Sequence, residues 1–121
     1  MPESNDRRRR GIAAETCVAS YLEAKGFQIA DRNVRVGALE LDLVATKGRI
    51  CVVCEVRSLR SAEWVHPAET ITSSKRDRVR RAALQLMQTP KYRGYRLRLD
   101  VASVIDPTGV SPQIEYYEDA L

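Results

Sequence analysis

The sequence is poor in the residues from which histidine and cysteine centres are built. It has one histidine, His66, and three cysteines in 121 residues. An odd number of cysteines argues against a disulfide framework. Cys51 and Cys54 have the CxxC spacing, but they lie in a predicted strand, where positions three apart point to opposite faces. We therefore interpret these two thiols as buried core residues and His66 as a loop residue, without a metal or redox role.

Long hydrophobic runs are also missing. No apolar stretch approaches the roughly 20 residues needed to cross a bilayer, and the basic N-terminus is not followed by the hydrophobic segment of a signal peptide. The hydrophobic fraction of 44% is that of an ordinary globular protein. The sequence thus predicts a cytoplasmic protein that is not bound to a membrane. We expect a single domain over residues 11–117, preceded by a flexible basic segment (1–10) and followed by a short tail (118–121).

Acidic residues are scarce in one part of the chain. From Lys75 to Arg98 there are nine lysines and arginines and a single acid, Asp77, and four consecutive arginines occupy positions 7–10. The net charge of +4 is modest, but this distribution suits a polyanionic partner, of which nucleic acid is the common one. A solvated helix face with a basic tail would explain the same pattern without any ligand.

Hydrophobic periodicity predicts the secondary structure. We expect helices over about 10–25 and from Ser73 or Ser74 to about 88, with Ser74 and Asp77 at capping-box spacing. Strands are predicted over 27–36, 37–45, 50–57 and 95–105, with a short edge strand at 113–117. A helix between the third and fourth strands implies a parallel crossover. The predicted fold is therefore α/β, a mixed sheet flanked by helices in the order α-β-β-β-α-β with a short last strand.

The second and third strands are predicted to form a hairpin that gathers acids on one face. A turn at Lys47-Gly48 would place Glu40 opposite Glu55. Four polar residues then share a face, because side chains alternate along each strand: Glu40, Asp42, Glu55 and Arg57. Diagonal neighbours in such a pair lie about 7–8 Å apart. Like charges at that spacing repel, so the pattern predicts a bound cation among them.

These residue types are those of a metal-dependent phosphodiesterase. Asp42 and Glu55 would hold Mg²⁺ or Mn²⁺ through hard carboxylate oxygens, and the ion would lower the pKa of an attacking water. Arg57, two residues beyond Glu55, could stabilise the charge that develops on the phosphate. Glu15 lies beside the buried stripe of the first helix, where it could complete the site. It could equally reach solvent or pair with an arginine.

Basic residues at the start of the second helix predict a phosphate contact. Lys75 and Arg76 stand in the first turn, where a cation opposes the helix dipole unless an anion binds. With Arg78 they form the predicted nucleic-acid-binding set. The alternative is that Asp77 offsets their charge and nothing binds.

Several motifs in order carry a resemblance to a known family. They are Gly11-x-x-x-Glu15, Gly26-Phe27, Asn33-x-Arg35, Glu40 to Ala45, Val53-x-Glu55-Val56-Arg57, Pro67-Ala68-Glu69 and Lys75-x-x-Arg78. This pattern resembles the YraN family of small bacterial proteins, whose restriction-endonuclease-like fold is similar to that of archaeal Holliday junction resolvases. The resemblance implies a D…ExK-type nuclease core. In that core Asp42 and Glu55 are metal ligands, Glu15 is an accessory acid and Glu40 lies beside them. It also implies DNA as the partner and a homodimer.

One departure from the family pattern bears on activity. Arg57 stands where the pattern has lysine, and an arginine keeps the charge but cannot act as a base. The first hypothesis is therefore an Mg²⁺-dependent endonuclease acting on branched or damaged DNA. The second is a non-catalytic nucleic-acid-binding protein that keeps the nuclease fold. A third, in which the basic face docks on an acidic protein, has no specific support in the sequence.

Overall fold

The computed structural model describes residues 2–59 and 71–121. Its elements are helix α1 (Pro2–Ala24), strands β1 (Gln28–Val36), β2 (Leu39–Lys47) and β3 (Ile50–Leu59), helix α2 (Ser73–Met87), and strands β4 (Arg96–Ile105) and β5 (Gln113–Tyr117). The predicted element order is confirmed, and β5 is the short last strand. The predicted loop that contains Trp64, His66 and the Pro67-Ala68-Glu69 motif lies outside the described residues.

The five strands form one mixed sheet in the spatial order β1-β2-β3-β4-β5. Strands β3 and β4, which α2 connects, run parallel, and the other neighbouring pairs are antiparallel. This confirms the predicted mixed α/β sheet, and the arrangement is consistent with a nuclease-like core. Neither helix in the described part of the chain is long and apolar enough to cross a membrane.

Each of the two described helices covers one face of the sheet, so residues 2–59 and 71–121 contain a core on each face. On the α1 face, Val18 and Leu22 pack with Val52. The α2 face buries the whole predicted stripe of that helix: Val79, Ala82, Ala83 and Leu86. Cys51 belongs to the α2 core and Cys54 to the α1 core, on opposite faces as the strand period predicts. A fully buried aliphatic side chain contributes about 1.5–3 kcal/mol, so the two cores fix the sheet between the helices.

Regular structure or packing extends beyond residues 11–117 at both ends of the described chain. Helix α1 begins at Pro2, so the predicted basic lead-in belongs to the helix. Near the other end, the Asp119 N–H donates to the Asp100 carboxylate at 2.9 Å, and the Ala120 N–H donates to the Leu99 carbonyl at 2.9 Å. Leu121 is buried in the α2 core. The predicted tail is therefore packed against the sheet.

The β2–β3 hairpin turns one residue later than predicted. Lys47 pairs with Ile50, which leaves Gly48 and Arg49 as the two-residue loop. Gly48 has a φ of +59°, and the first loop position of a type II′ turn requires such a positive φ. Gly48 therefore occupies the first position of the two-residue loop, and Lys47 remains in β2. The shift moves the pairing by two residues, so Glu55 no longer lies opposite Glu40.

Strand β2 changes faces at Asp42, which the simple alternation did not predict. Leu39 and Leu41 pack in the α2 core, whereas Leu43 and Ala45 pack in the α1 core. Pairing of β2 with β3 ends at Leu43, opposite Cys54. The expectation that these four residues share one face was therefore wrong, because β2 turns away from β3 beyond that pair.

Helix α2 is capped by Thr72 and not by Ser73 or Ser74. The Thr72 side chain accepts a hydrogen bond from the Lys75 N–H at 3.1 Å. The residue three positions after the cap is thus Lys75, and the predicted capping box with Asp77 does not form. With no acid in its first turn, the N-terminus of α2 keeps its positive character.

Candidate active site

The site lies where β2 and β3 separate. Continuing the register past Leu43 and Cys54 brings Asp42 beside Glu55 on the neighbouring strand. The side chain of Asp42 forms a hydrogen bond to the neighbouring strand, because its Oδ2 accepts from the Val56 N–H at 2.8 Å. Where the pairing of β2 and β3 ends, the Asp42 carboxylate therefore lies between the two strands and next to the Glu55 carboxylate. Sequence reasoning predicted that the two share a face, and the corrected register makes them direct neighbours.

The environment of Asp42 and Glu55 raises the pKa of both carboxyls and so disfavours their ionised forms. Burial raises the pKa of Asp42, and the charges of Glu15 and Glu40 raise it further. Burial also raises the pKa of Glu55, and the charge of Asp42 is the next cause. The Val56 hydrogen bond and Lys75 act in the other direction on Asp42, but they do not offset the desolvation. Two acids that repel each other inside a protein favour any bound cation.

Glu55 is incompletely satisfied. Its side chain is only 11% exposed, and its Oε2 lies 3.9 Å from Lys75 Nζ. Its other oxygen, Oε1, is buried and has no hydrogen-bond partner in the described part of the protein. Buried carboxylate oxygens are normally hydrogen-bonded, and an exception calls for a ligand or a functional explanation.

The acids open into a cavity of about 450 Å³ on the α2 face. It contains five of the predicted site residues: Glu40, Asp42, Glu55, Arg57 and Lys75. The remaining lining comes from Val56, Ile71, Thr72, Val79 and Leu121. Acids thus come from the strands, and Lys75 comes from the helix start that faces them.

Glu15 reaches the same acids from α1. It does not line the cavity, but its charge contributes to the raised pKa of both Asp42 and Glu55. Asn33 Nδ2 donates to Glu15 Oε1 at 3.1 Å, and Arg32 Nη2 lies 3.8 Å from the same oxygen. The expected alternative of pairing with an arginine is therefore also met, and Glu15 is a held acid at the edge of the site.

The three residues of the predicted nucleic-acid-binding set lie in different environments in the structure. Lys75 faces the carboxylates, as described. Arg76 is half-buried, and its Nε has no hydrogen-bond partner among residues 2–59 and 71–121. Arg78 is exposed, and its Nε donates a hydrogen bond to the Ser74 carbonyl at 3.4 Å. Only Lys75 of the three therefore lines the carboxylate cavity.

Comparison with known proteins identifies the family. Residues 14–104, which include every acid of the site and Lys75, match the family described as "Uncharacterised protein family UPF0102". The chain belongs to the UPF0102 family. This confirms the resemblance to the YraN family.

The relatives of this UPF0102 protein match it over most of its length. A UPF0102 protein of Sorangium cellulosum is 41% identical over 106 residues, which cover 85% of this chain and 74% of the relative. One of Renibacterium salmoninarum is 36% identical over 106 residues, covering 88% and 90%. One of Geotalea daltonii is 29% identical over 116 residues, covering 96% and 91%. The family assignment names no reaction, so the chemistry must be argued from the site.

The donor set of this UPF0102 site fits Mg²⁺ better than a softer ion. No cluster of three or more histidine, cysteine or acidic side chains arranged to hold a metal occurs in the described ranges. Mg²⁺ does not need such a cage, because it keeps several waters and is held by one or two carboxylates together with substrate phosphates. Asp42 and Glu55 are the residues that could hold it, and the unpartnered Glu55 Oε1 is an available ligand atom.

Sequence reasoning missed the residue that orients Glu15. Asn33 lies in β1 between the paired residues Arg32–Leu43 and Val34–Leu41, and it has a φ of +53°. An asparagine inside a strand is a recognisable signal, since asparagine tolerates the left-handed region better than most residues. The Asn33-x-Arg35 motif of the sequence contains this signal.

Proposed function

We propose that this protein is an Mg²⁺-dependent endonuclease that hydrolyses phosphodiester bonds in DNA, with branched or damaged DNA as the substrates to test first. One observation carries the proposal. Two adjacent carboxyls, the half-buried Asp42 and the buried Glu55, face a cavity with their charge only partly balanced, and one oxygen of Glu55 has no partner in the described structure. Such an arrangement destabilises the free protein and is offset by a bound cation.

The residues divide the work between the metal and the phosphate. When bound, Mg²⁺ supplies a Lewis acid that neutralises phosphate oxygens and makes water a better nucleophile at neutral pH. Asp42 and Glu55 hold it, and the Val56 N–H fixes one Asp42 oxygen so that the other remains available. Glu15, kept in place by Asn33, and the exposed Glu40 add negative charge that strengthens cation binding.

Positive charge lies on two sides of the carboxylates. Arg57 and Lys75 both line the cavity. The guanidinium of Arg57 suits a fork-shaped contact to a phosphate, and Lys75 offers a compact charge from the N-terminal turn of α2. The peptide N–H groups of that turn favour the same anion. A phosphodiester in the cavity would therefore meet cations from both β3 and α2, which compensates in part for the lysine that Arg57 replaces.

The experiment is a cleavage assay with purified protein on branched, single-stranded and duplex DNA in Mg²⁺ or Mn²⁺. We expect cleavage of at least one substrate, its loss in EDTA, and its loss in Asp42→Ala. Glu23→Ala is the matched control, because Glu23 is an exposed α1 acid and its loss should leave cleavage unchanged. Absence of cleavage on every substrate, or equal cleavage by Asp42→Ala, contradicts the proposal.

A second candidate is a non-catalytic nucleic-acid-binding protein that keeps the nuclease fold. Arg57 favours it, because this residue cannot exchange a proton with an attacking water. This version predicts binding that weakens steeply with salt and no turnover. Arg57→Lys separates the two candidates. If only the lysine variant cleaves DNA, position 57 is what the wild-type protein lacks. Binding that does not respond to ionic strength contradicts this candidate.

A further inference from the structure

A second cleft, lined by cations and aromatic rings, lies away from the acids. It has a volume of about 630 Å³. Its lining, here called the basic cleft, consists of Tyr21, Leu22, Lys25, Phe27, Lys47, Gly48, Arg49, Ile50, Arg98, Tyr116 and Glu118. Four of these residues are basic, three are aromatic and one is acidic. We propose that the basic cleft binds a single-stranded segment of nucleic acid, independently of the carboxylate site.

The basic cleft is separate from the proposed active site in both position and face. Its apolar members, such as Phe27 and Ile50, pack with the α1 core, whereas the carboxylate cavity opens on the α2 face. Along β3, Ile50 lies five residues before Glu55, about 16 Å at the usual rise per residue. A ligand in one cavity therefore does not occupy the other.

The charge of the basic cleft is poorly balanced. Lys25, Lys47 and Arg49 have no acid within ion-pair distance among the described residues. The Lys47 ammonium donates instead to the Lys25 carbonyl at 2.7 Å, which holds two lysines together at the end of α1. Arg96 pairs with Ile50 and is exposed nearby, adding another positive charge. A polyanion is the ligand that this charge complements.

The aromatic rings of the basic cleft favour a single strand over a duplex as its ligand. Lys47 Nζ and Arg98 Cζ lie 5.6 and 5.7 Å from the centre of the Phe27 ring. Tyr21 and Tyr116 stack with their ring centres 4.9 Å apart. Rings and guanidinium planes of this kind stack on unpaired bases, while the bases of a duplex are stacked on one another. The Arg98 guanidinium is fixed by Asp100 at 2.9–3.2 Å, so its plane is preorganised.

Binding of fluorescent oligo(dT) in EDTA tests the proposal. EDTA removes any contribution of a metal site, so a protein without nuclease activity gives an equally valid result. We expect Lys25→Ala combined with Arg49→Ala to weaken binding about tenfold and to lower the salt slope by about 1.4, because each phosphate contact contributes about 0.7 on a single strand. The control is Arg8→Ala with Arg81→Ala, two exposed arginines outside the cleft, which removes the same charge.

A second pair of measurements tests stacking and location. Phe27→Leu keeps the charge, so it should weaken binding about tenfold without changing the salt slope. Its thermal unfolding is measured in parallel, since Phe27 also packs on the α1 core. Photocrosslinking of bromouracil-containing oligonucleotide to wild-type protein does not depend on any variant, and we expect the crosslink on a cleft peptide. Equal loss in the control pair, duplex bound as tightly as single strand, or crosslinks only elsewhere would overturn the proposal.

Discussion

The protein buries carboxylates in two places and treats them in opposite ways. Asp100 has no exposed surface, and its oxygens accept hydrogen bonds from the Arg98 guanidinium, the Tyr116 hydroxyl and the Asp119 N–H at 2.5–3.2 Å. The Glu55 carboxyl has a lysine at 3.9 Å and a contact with the backbone N–H of Asp42, but one of its oxygens has no partner in the described ranges. Among the residues that the structure describes, the first site is complete and the second is not.

The difference predicts which buried acid contributes to folding and which to the proposed function. A buried charge is tolerated when partners replace its lost hydration, as they do for Asp100. The pair at Asp42 and Glu55 loses hydration without full replacement, and this costs stability in the free protein. Proteins retain such local destabilisation mainly at sites where a ligand repays it. Substitutions at the two places should therefore have opposite consequences.

The largest effect is expected for Glu55→Gln. It removes one of two repelling charges and a proposed metal ligand, so cleavage should fall about 10³-fold or more, the loss of several kcal/mol of transition-state stabilisation. The same change should raise the free energy of unfolding in EDTA by about 1 kcal/mol, because the raised pKa of Glu55 disappears as a source of instability. Cleavage assays and urea unfolding measure the two quantities. Glu23→Gln is the control, and a variant that is both less active and less stable would contradict this prediction.

Asp100→Asn should act in the opposite sense. It leaves Arg98 beside a neutral group and weakens the anchors of Tyr116 and Asp119, so we expect the free energy of unfolding to fall by about 3 kcal/mol. Cleavage per folded molecule should be unchanged, because Asp100 lies on the α1 side of the sheet with Tyr116, away from the carboxylate cavity. Thermal unfolding and cleavage at a temperature where the variant is folded provide the comparison. If Asp100→Asn lost cleavage activity without losing stability, the proposed difference between Asp100 and Glu55 would be contradicted.

Sequence patterns were sufficient for the elements and for the shared side of Asp42 and Glu55, but not for the contacts of these two acids. Strand period placed Asp42 and Glu55 on one side, and helix period identified the buried stripe of α2. The pairing partner of Glu55 depended on which residue opened the turn, and the backbone preference of Gly48 decided it. The face change of β2 at Asp42 depends on how two strands separate, a tertiary effect that no local pattern encodes. Lys75 was predicted to contact a phosphate, but its distance from Glu55 depends on how α2 packs.

A smaller difference between the Asp42–Glu55 pair and Asp100 is expected in the pH dependence of the free energy of unfolding. Because the pKa values of Asp42 and Glu55 are raised in the folded protein, the folded state holds protons that the unfolded chain has released. Stability should therefore increase as pH falls from above neutral toward the ordinary carboxyl value of about 4, and decrease as pH rises through the raised values. Urea unfolding in EDTA across this range should show a gain of about 1–2 kcal/mol from the pair.

Mg²⁺ provides the control for that measurement. At neutral and higher pH a bound cation takes over the role of the proton, so saturating Mg²⁺ should flatten the slope by stabilising the ionised pair. Asp100→Asn should retain the slope and its response to Mg²⁺, while Asp42→Asn with Glu55→Gln should lose both. A wild-type slope of the opposite sign in EDTA, or no response to Mg²⁺, would contradict the incomplete charge balance on which the comparison depends.

The smallest effect concerns the residue that holds Glu15. Asn33→Gly and Asn33→Ala both remove the 3.1 Å hydrogen bond to Glu15, so both should lower cleavage to a similar extent, about tenfold or less. Only alanine is strained at a φ of +53°, so Asn33→Ala should lose about 1 kcal/mol more stability than Asn33→Gly. Urea unfolding and cleavage of the two variants separate backbone strain from acid positioning. If cleavage instead follows stability across the pair, Asn33 supports the fold alone and Glu15 needs no orientation.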